Sequence, residues 1–564
     1  MLELKKVQFI IGKDKTKNVY KLSALMVVGA LLDALSIAFI LPVINVFFNK
    51  DNFNLNFLNF EINFSSYSYE KTLLTMLFIF VLIFVIKNLY LRFVLIKQSK
   101  FIANTKAEIS LKIYKKYLNF EQTFVLKNNS SIFLRNLKTE ARVFVGYYLQ
   151  SLLILFIDSI LVLLLIMIVA SVDILLFWVG FFIFGTTSII YFLFFKKNIK
   201  VIGENRQRLE GEEFKLIQET FRSIKDIKLF NAKNYFNDIY KKISFPLANF
   251  AAKYQVISSS LKYLFEVILI ITLSIMIIIL TFNKYPLEEI ISIIGVFIAT
   301  SLRLIPSINK IIVSLQNLKF SKKALDAVYS ILEKEDEMVE YDKTQKISFS
   351  NFLELKNITF KYPDNPVSII KDFSAIIQKG TFIGFFGKSG SGKTTILNLV
   401  TGLMNGYNGT ILVDNTDIRK NIYKWRSKFS YVTQDINLND ASIASNIAFG
   451  INEELIDQEK LINASKFAKI YEYIEKLPNK FNTTVGELGF NLSGGQVQRI
   501  AIARAIYKGS EILVFDEATN SLSKEVEEKI IKDLIELKKK KITIMFSTHN
   551  LNLKDYFDQI IEID

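Results

Sequence analysis

Phe382-Ile383-Gly384-Phe385-Phe386-Gly387-Lys388-Ser389-Gly390-Ser391-Gly392-Lys393-Thr394-Thr395 decides the reading of the second half of this chain. Phe382–Phe386 reads as a strand, Thr395–Leu403 as an apolar helix, and the glycine-rich turn between them fits a phosphate loop. The glycines let backbone N–H groups close around a phosphate. Lys393 reaches the terminal phosphate oxygens, Thr394 offers a hydroxyl to Mg²⁺, and the helix N-terminus adds its dipole. Gly387, Ser389, Gly390, Gly392, Lys393, Thr394 and Thr395 are therefore candidate nucleotide contacts.

Working outward, Ile512–Glu517 reads as a buried strand ending in two carboxylates. Beside a phosphate loop, Asp516 suits Mg²⁺ held through water. Glu517 suits the general base that polarises an attacking water. The plainer reading is a strand that happens to end in acids. Between the two lies Leu492-Ser493-Gly494-Gly495-Gln496, small residues that open a helix running through Arg499 and Arg504.

This pentapeptide, in this order with the phosphate loop and the carboxylate pair, resembles the signature of the ATP-binding cassette superfamily. The resemblance implies ATP and Mg²⁺ as cofactors, with Ser493, Gly494, Gly495 and Gln496 contacting nucleotide. It implies Tyr362 as the aromatic that stacks on adenine, and Gln434 as the residue linking Mg²⁺ to the membrane domain. His549, the only histidine, becomes the γ-phosphate contact. A lone histidine is otherwise more often structural. Glu517, His549 and Gln434 are thus the catalytic candidates, and Thr394, Gln434 and Asp516 the metal candidates. One position departs from the family: Asn520-Ser521-Leu522-Ser523 stands where most members end in Asp, which puts coupling between two sites in question at Ser523. In the family, one chain's phosphate loop and another's signature enclose each nucleotide. A second subunit, identical or paralogous, is therefore implied.

The rest of the chain is of another kind. Of 564 residues 51% are apolar, Phe supplies 50, and only 22% are charged, a balance that points to a membrane protein. Cysteine is absent, which excludes disulfides, thiolate metal sites and a cysteine nucleophile. The net charge of +16 fits lysines crowding the cytoplasmic ends of membrane helices; attraction to anionic lipid or nucleic acid is the alternative, and no nucleic-acid partner is expected. Met1–Lys17 is polar and basic, so no cleavable signal is expected.

Six apolar segments, at Tyr20–Phe48, Thr72–Ile96, Val143–Ser171, Ile174–Phe195, Leu261–Phe282 and Leu287–Ile312, are each long enough to cross about 30 Å of hydrocarbon. Lysines before the first, after the second and after the fourth place both termini in the cytoplasm. The long polar loops Lys97–Arg142 and Lys196–Ser260 read as helices continuing out of the membrane and turning at short transverse helices, near Lys127–Ser131 and Arg222–Lys228. Leu332–Lys346 is charge-rich and marks a linker. The expected organisation is an all-α six-helix membrane domain (1–331), a linker (332–350) and an α/β phosphate-loop cassette (351–564).

Six spans and a cassette on one chain resemble the exporter half-transporters over nearly the whole length. Thr484-Val485-Gly486-Glu487 matches the short loop before their signature. The resemblance implies the bacterial inner membrane, with the cassette in the cytoplasm. Counting helix rise inward, Asp33, Lys87, Asp158, Glu266 and Arg303 lie about 20–24 Å deep, with Arg92 and Lys310 below them. Charges inside a membrane are functional candidates by default. Either they pair with each other, for instance Asp33 or Glu266 with Lys87 or Arg303, or Lys87, Arg92, Arg303 and Lys310 meet an anionic amphipathic cargo. Ser301–Ser307 and the overall layout are similar to flippases of lipid-linked oligosaccharides, whose polyprenyl pyrophosphate would suit Lys and Arg. Another lipid, a peptide, a drug or an ATP-gated channel are the alternatives.

Overall fold

The computed structural model describes residues 2–48, 54–57, 60–63, 69–334, 347–362, 365–388, 390–486, 489, 491–519 and 521–563. Most of the expected linker therefore lies outside the described residues. The chain divides into two compact units, Met1–Asn119 with Asn128–Asp336, and Phe120–Lys127 with Glu337–Asp564.

The first unit is helical, and six of its helices are long and apolar enough to cross a membrane. The first of them runs Lys13–Ala38 and resumes at Ile40–Phe48. The break has a simple cause: Pro42 lacks the N–H that would bond the Ala38 carbonyl. An antiparallel hairpin, Asn54–Phe57 against Phe60–Asn63, follows in the loop after the first span. Tyr69–Leu118, at 50 residues, reaches about 75 Å at 1.5 Å per residue, over twice the hydrocarbon thickness. The helix therefore extends far beyond the bilayer, as the polar loop after it requires. Ile174–Arg222 and Lys233–Phe282 do the same, and Leu287–Phe320 closes the set.

The short helices differ in detail from the sequence expectation. The first is Gln122–Lys127, so it ends where the Lys127–Ser131 turn was expected to begin. The next helix starts at Ser130 because Asn129 Oδ1 accepts from the Ser131 N–H at 3.0 Å. This is an N-cap. The second short helix, Ile224–Leu229, falls at the expected turn.

Within the first unit the second span packs chiefly on the first, the first on the third, and the third on the sixth. The fourth and fifth pack on the sixth and on each other. One close approach admits only glycine: a Cβ on Gly203 would lie 2.2 Å from the Phe320 carbonyl oxygen.

The second unit carries two sheets. Five parallel strands lie in the order Gln559–Glu562, Phe382–Phe386, Thr543–Ser547, Ile512–Asp516 and Phe429–Val432. The three central strands are buried at every position, as strands covered on both faces must be. An antiparallel sheet of Ile370–Gln378, Phe352–Phe360, Asn408–Val413 and Thr416–Asp417 adjoins it. Trp425 anchors the core between them, fully buried with its indole N–H on the Val400 carbonyl at 2.7 Å.

Candidate functional site

Strand order assembles the cassette site. The phosphate loop, His549, Glu517 and Gln434 each follow the carboxyl end of one of four adjacent parallel strands. Residues far apart in sequence thus share one edge of the sheet, where open α/β sheets bind ligands.

The phosphate loop leaves the strand at Gly387, where a Cβ would sit 2.3 Å from the Ile563 carbonyl oxygen, and enters the helix Lys393–Val400 through Gly392 at φ +98°. The Lys393 ammonium curls back onto the Gly387 and Lys388 carbonyls at 2.9 and 3.0 Å. The Ser391 hydroxyl is enclosed with no hydrogen-bond partner among the described residues. A loop with a spare enclosed hydroxyl and a cation folded onto its own carbonyls suits an anionic guest. The Tyr362 hydroxyl lies 3.3 Å from Thr395 Oγ1, which brings the aromatic candidate against the loop's helix. Ser389 lies outside the described residues.

Asp516 ends its strand buried, and Tyr431 and Ser547 donate to its two oxygens at 3.0 and 2.7 Å. Burial and the adjacent carboxylate push the Tyr431 phenol far above its ordinary value, so it stays a donor at any physiological pH. Sequence reasoning missed both donors. The only available signal was Ser547's place two residues before His549.

Glu517 leaves the strand in the left-handed region, at φ 49°, rare outside glycine and often a mark of functional strain. The Ser547 hydroxyl and carbonyl receive its backbone N–H at 3.1 and 3.2 Å. Its carboxylate accepts from the Gln434 amide at 2.9 Å and lies 3.6 Å from the Lys393 ammonium. The candidate base, the linker glutamine and the phosphate-loop lysine therefore meet. That a strand merely happens to end in acids does not account for this convergence. His549 is exposed.

Ser493 caps the signature helix Gly494–Lys508 in a reciprocal box: its N–H donates to Gln496 Oε1 at 2.8 Å and its hydroxyl accepts from the Gln496 N–H. Gly494 and Gly495 lie against Ser521, whose N–H donates to Gln498. Ser523 is the N-cap residue of the next helix, Lys524–Lys538. Arg504 braces the Gln434 segment's continuation, donating to the Asn446 and Asn437 carbonyls. Asn520 and Glu487 lie outside the described residues.

The intramembrane charges largely pair. Asp33, 2% exposed, sits between Lys87 at 3.1 Å and Arg303. Lys87 also donates to Ser36 at 3.2 Å. Lys310 approaches Asp158 at 3.9 Å. Glu266 joins neither Lys87 nor Arg303, and it and Arg92 are exposed.

Residues 370–520 match the family model described as ABC transporter. The chain is 28% identical over 459 residues, 80% of its length and 76% of the relative's, to an ATP-dependent lipid A-core flippase of Alkalilimnicola ehrlichii. Flippases of the same description from Pseudoalteromonas atlantica and Pseudomonas aeruginosa are 36% and 38% identical over 43% and 42% of this chain, spanning 42% and 39% of their own lengths. A solved structure described as a bacterial Atm1-family ABC exporter with ATP bound superposes with a TM-score of 0.77 at 20% identity, covering 98% of this chain and 94% of that one.

Proposed function

The chain is half of an ATP-binding cassette exporter, and we propose that two such chains flip an anionic, amphipathic lipid across a bacterial inner membrane by alternating access. The cargo class we favour is a phosphorylated glycolipid, of which a polyprenyl-pyrophosphate oligosaccharide is one member. The observation that carries this is the Asp33 cluster, where two cations bracket one anion and Arg303 stays 34% exposed. Its surplus positive charge suits a phosphate. Thr300 Oγ1 and Arg303 Nε on the same span are enclosed without hydrogen-bond partners among the described residues, a costly state inside a membrane unless a polar guest or water meets them. The relatives' description as lipid A-core flippases supports a lipid cargo.

ATP hydrolysis drives the cycle. Glu517, steered by Gln434 and Lys393, takes a proton from the attacking water. Lys393 and the loop amides hold phosphate oxygens. Thr394, Gln434 and Asp516 supply hard oxygen donors that fit Mg²⁺; with both Asp516 oxygens already accepting from Tyr431 and Ser547, a bridging water suits that contact. When bound, Mg²⁺ neutralises charge on the phosphates. Each chain carries one phosphate loop and one signature, so a second copy completes the site, and the helices near Ser131 and Ile224 pass its closure to the spans.

The test is ATPase and flipping in lipid nanodiscs and proteoliposomes, with a polyprenyl-pyrophosphate oligosaccharide and with a lipid A-core glycolipid. Arg303→Ala leaves Asp33 paired with Lys87, so basal ATPase should hold while cargo stimulation falls about tenfold, ~1.4 kcal/mol. Flipping by Arg303→Ala at the native rate would overturn the anionic-cargo reading. Ion conductance without flipping would favour a channel.

A further inference from the structure

A single hydroxyl in the cassette touches both Asp516 and Glu517. Ser547 ends the strand Thr543–Ser547 and is fully buried. In the parallel register it stands beside Asp516, the last residue of the neighbouring strand. Its Oγ lies 2.7 Å from Asp516 Oδ1 and 3.1 Å from the Glu517 backbone nitrogen. Chemistry fixes the direction of both bonds. A backbone N–H can only donate and an ionised carboxylate can only accept. The one hydroxyl proton therefore goes to Asp516, and a lone pair receives the Glu517 N–H.

The two contacts do different things. Asp516 is 2% exposed, and Tyr431, from the strand on its other side, donates to Oδ2 at 3.0 Å. With a donor on each oxygen from each flanking strand, the carboxylate plane cannot turn without breaking a charge-assisted bond. Glu517 departs at φ 49°, a conformation that a residue with a Cβ keeps only when its surroundings hold it there. Its N–H is held twice by Ser547, at the hydroxyl and at the carbonyl, the latter at 3.2 Å. The turn so held delivers the Glu517 carboxylate to the Gln434 amide at 2.9 Å. Ser547 is itself fixed, because the next N–H, that of Thr548, bonds the Phe385 carbonyl of the phosphate-loop strand at 3.1 Å.

We propose that Ser547 is a positioning residue for ATP hydrolysis: through one hydroxyl it sets both the plane of the carboxylate that serves Mg²⁺ and the turn that aims the base. Tyr431 holds only the first of these. A carboxylate has about four acceptor sites, so two protein donors leave Asp516 room for water carried by the metal, in one orientation. A hydroxyl that merely satisfied the end of its own strand would need one partner. This one bridges to the next strand and commits its proton and a lone pair to two functional residues in sequence. The proposal rests on the preceding reading of Asp516 and Glu517.

Metal binding and turnover are read separately. Full-length protein in nanodiscs carries Glu517→Gln, so that nucleotide persists, and its affinity for a fluorescent ATP analogue is measured in EDTA and in excess Mg²⁺. Adding Ser547→Ala or Tyr431→Phe should each cut the Mg²⁺-dependent gain in affinity by about tenfold, with the affinity in EDTA unchanged. Turnover is then compared with Glu517 intact at saturating Mg²⁺. There Ser547→Ala should be about tenfold slower than Tyr431→Phe, because it alone also frees the Glu517 turn. Equal turnover of the two, or a lost Mg²⁺ gain in Tyr431→Phe with none lost in Ser547→Ala, overturns the role of Ser547 and leaves Asp516 at the metal. A matching fall in EDTA and in Mg²⁺ marks Ser547 as a structural residue and overturns it too. A full Mg²⁺ gain in both variants takes Asp516 away from the metal, and the preceding reading falls with it.

Discussion

Asp33→Asn should be the most damaging conservative change in the membrane unit. The side chain is 2% exposed, with Lys87 Nζ at 3.1 Å on one side and the Arg303 guanidinium on the other. Asparagine keeps the volume and one carbonyl oxygen but removes the carboxylate charge that pairs with both cations. Deleting one partner of a buried pair costs about 3–5 kcal/mol, because the survivor stays uncompensated. An unpaired Lys or Arg deep in a membrane helix independently costs about 2.5–3.5 kcal/mol. Lys87→Met is the instructive contrast. It leaves Asp33 on Arg303 and loses one charge-assisted bond and the Ser36 contact, about 1–2 kcal/mol. The double variant Asp33→Asn/Lys87→Met should be milder than the sum, with a coupling of about 1–3 kcal/mol. The assay is thermal unfolding of the full-length protein in lipid nanodiscs, followed by tryptophan fluorescence and by retention of the assembled peak on size exclusion. The expected order of midpoints is native, Lys87→Met, the double variant, then Asp33→Asn. Asp33→Asn melting with the native protein, or Lys87→Met melting below Asp33→Asn, would refute the idea that Asp33 compensates both cations.

Other outcomes follow from the cassette. Glu517→Gln should bind a fluorescent ATP analogue with native affinity and lose about 10²–10⁴ in turnover; near-native turnover would remove Glu517 as the base. Trp425→Ala should destabilise the cassette by about 3–5 kcal/mol, because it empties a fully buried site and orphans the Val400 carbonyl; an unchanged cassette unfolding midpoint by calorimetry would contradict this. Asp414 feels some burial, but the N–H groups of Phe352, Ser350 and Asn351 hold its carboxyl below the ordinary carboxylate range. A depressed folded pKa contributes stability above the unfolded value, about 3.9, and that contribution fades as pH falls through the folded value. Asp414→Asn should therefore unfold about 1–2 kcal/mol more easily at pH 7, with the gap to native closing below about pH 4 in a pH series of calorimetric midpoints.

Much of this protein was legible as local chemistry. A glycine-rich turn ending in Lys-Thr between a strand and a helix reads as a phosphate loop from its local sequence, because glycines let backbone N–H groups close on an anion. About twenty apolar residues in a row must span or be buried. The signature helix start at Ser493 was equally readable, since capping depends on neighbours in sequence. The residues that hold the metal candidate Asp516 were not legible. Tyr431 and Ser547 reach Asp516 from two different strands, and nothing local to either marks it as a donor to a carboxylate. The short helix at Gln122–Lys127 ends where the turn was expected to begin, and the next helix starts at Ser130 because one side chain, Asn129, caps Ser131.

The membrane charges divide in the same way. Helix rise placed Asp33, Lys87, Asp158, Glu266 and Arg303 in one layer from sequence alone, because depth along a helix is one-dimensional. Which of them pair is a matter of rotation and of which spans are neighbours, and only the tertiary structure decided it. Asp33 lies on the face that meets both Lys87 and Arg303, Asp158 lies toward Lys310, and Arg92 and Glu266 stay exposed. Sequence determined the chemistry available at each position. The packing of the helices decided which charges are compensated within the chain and which are not.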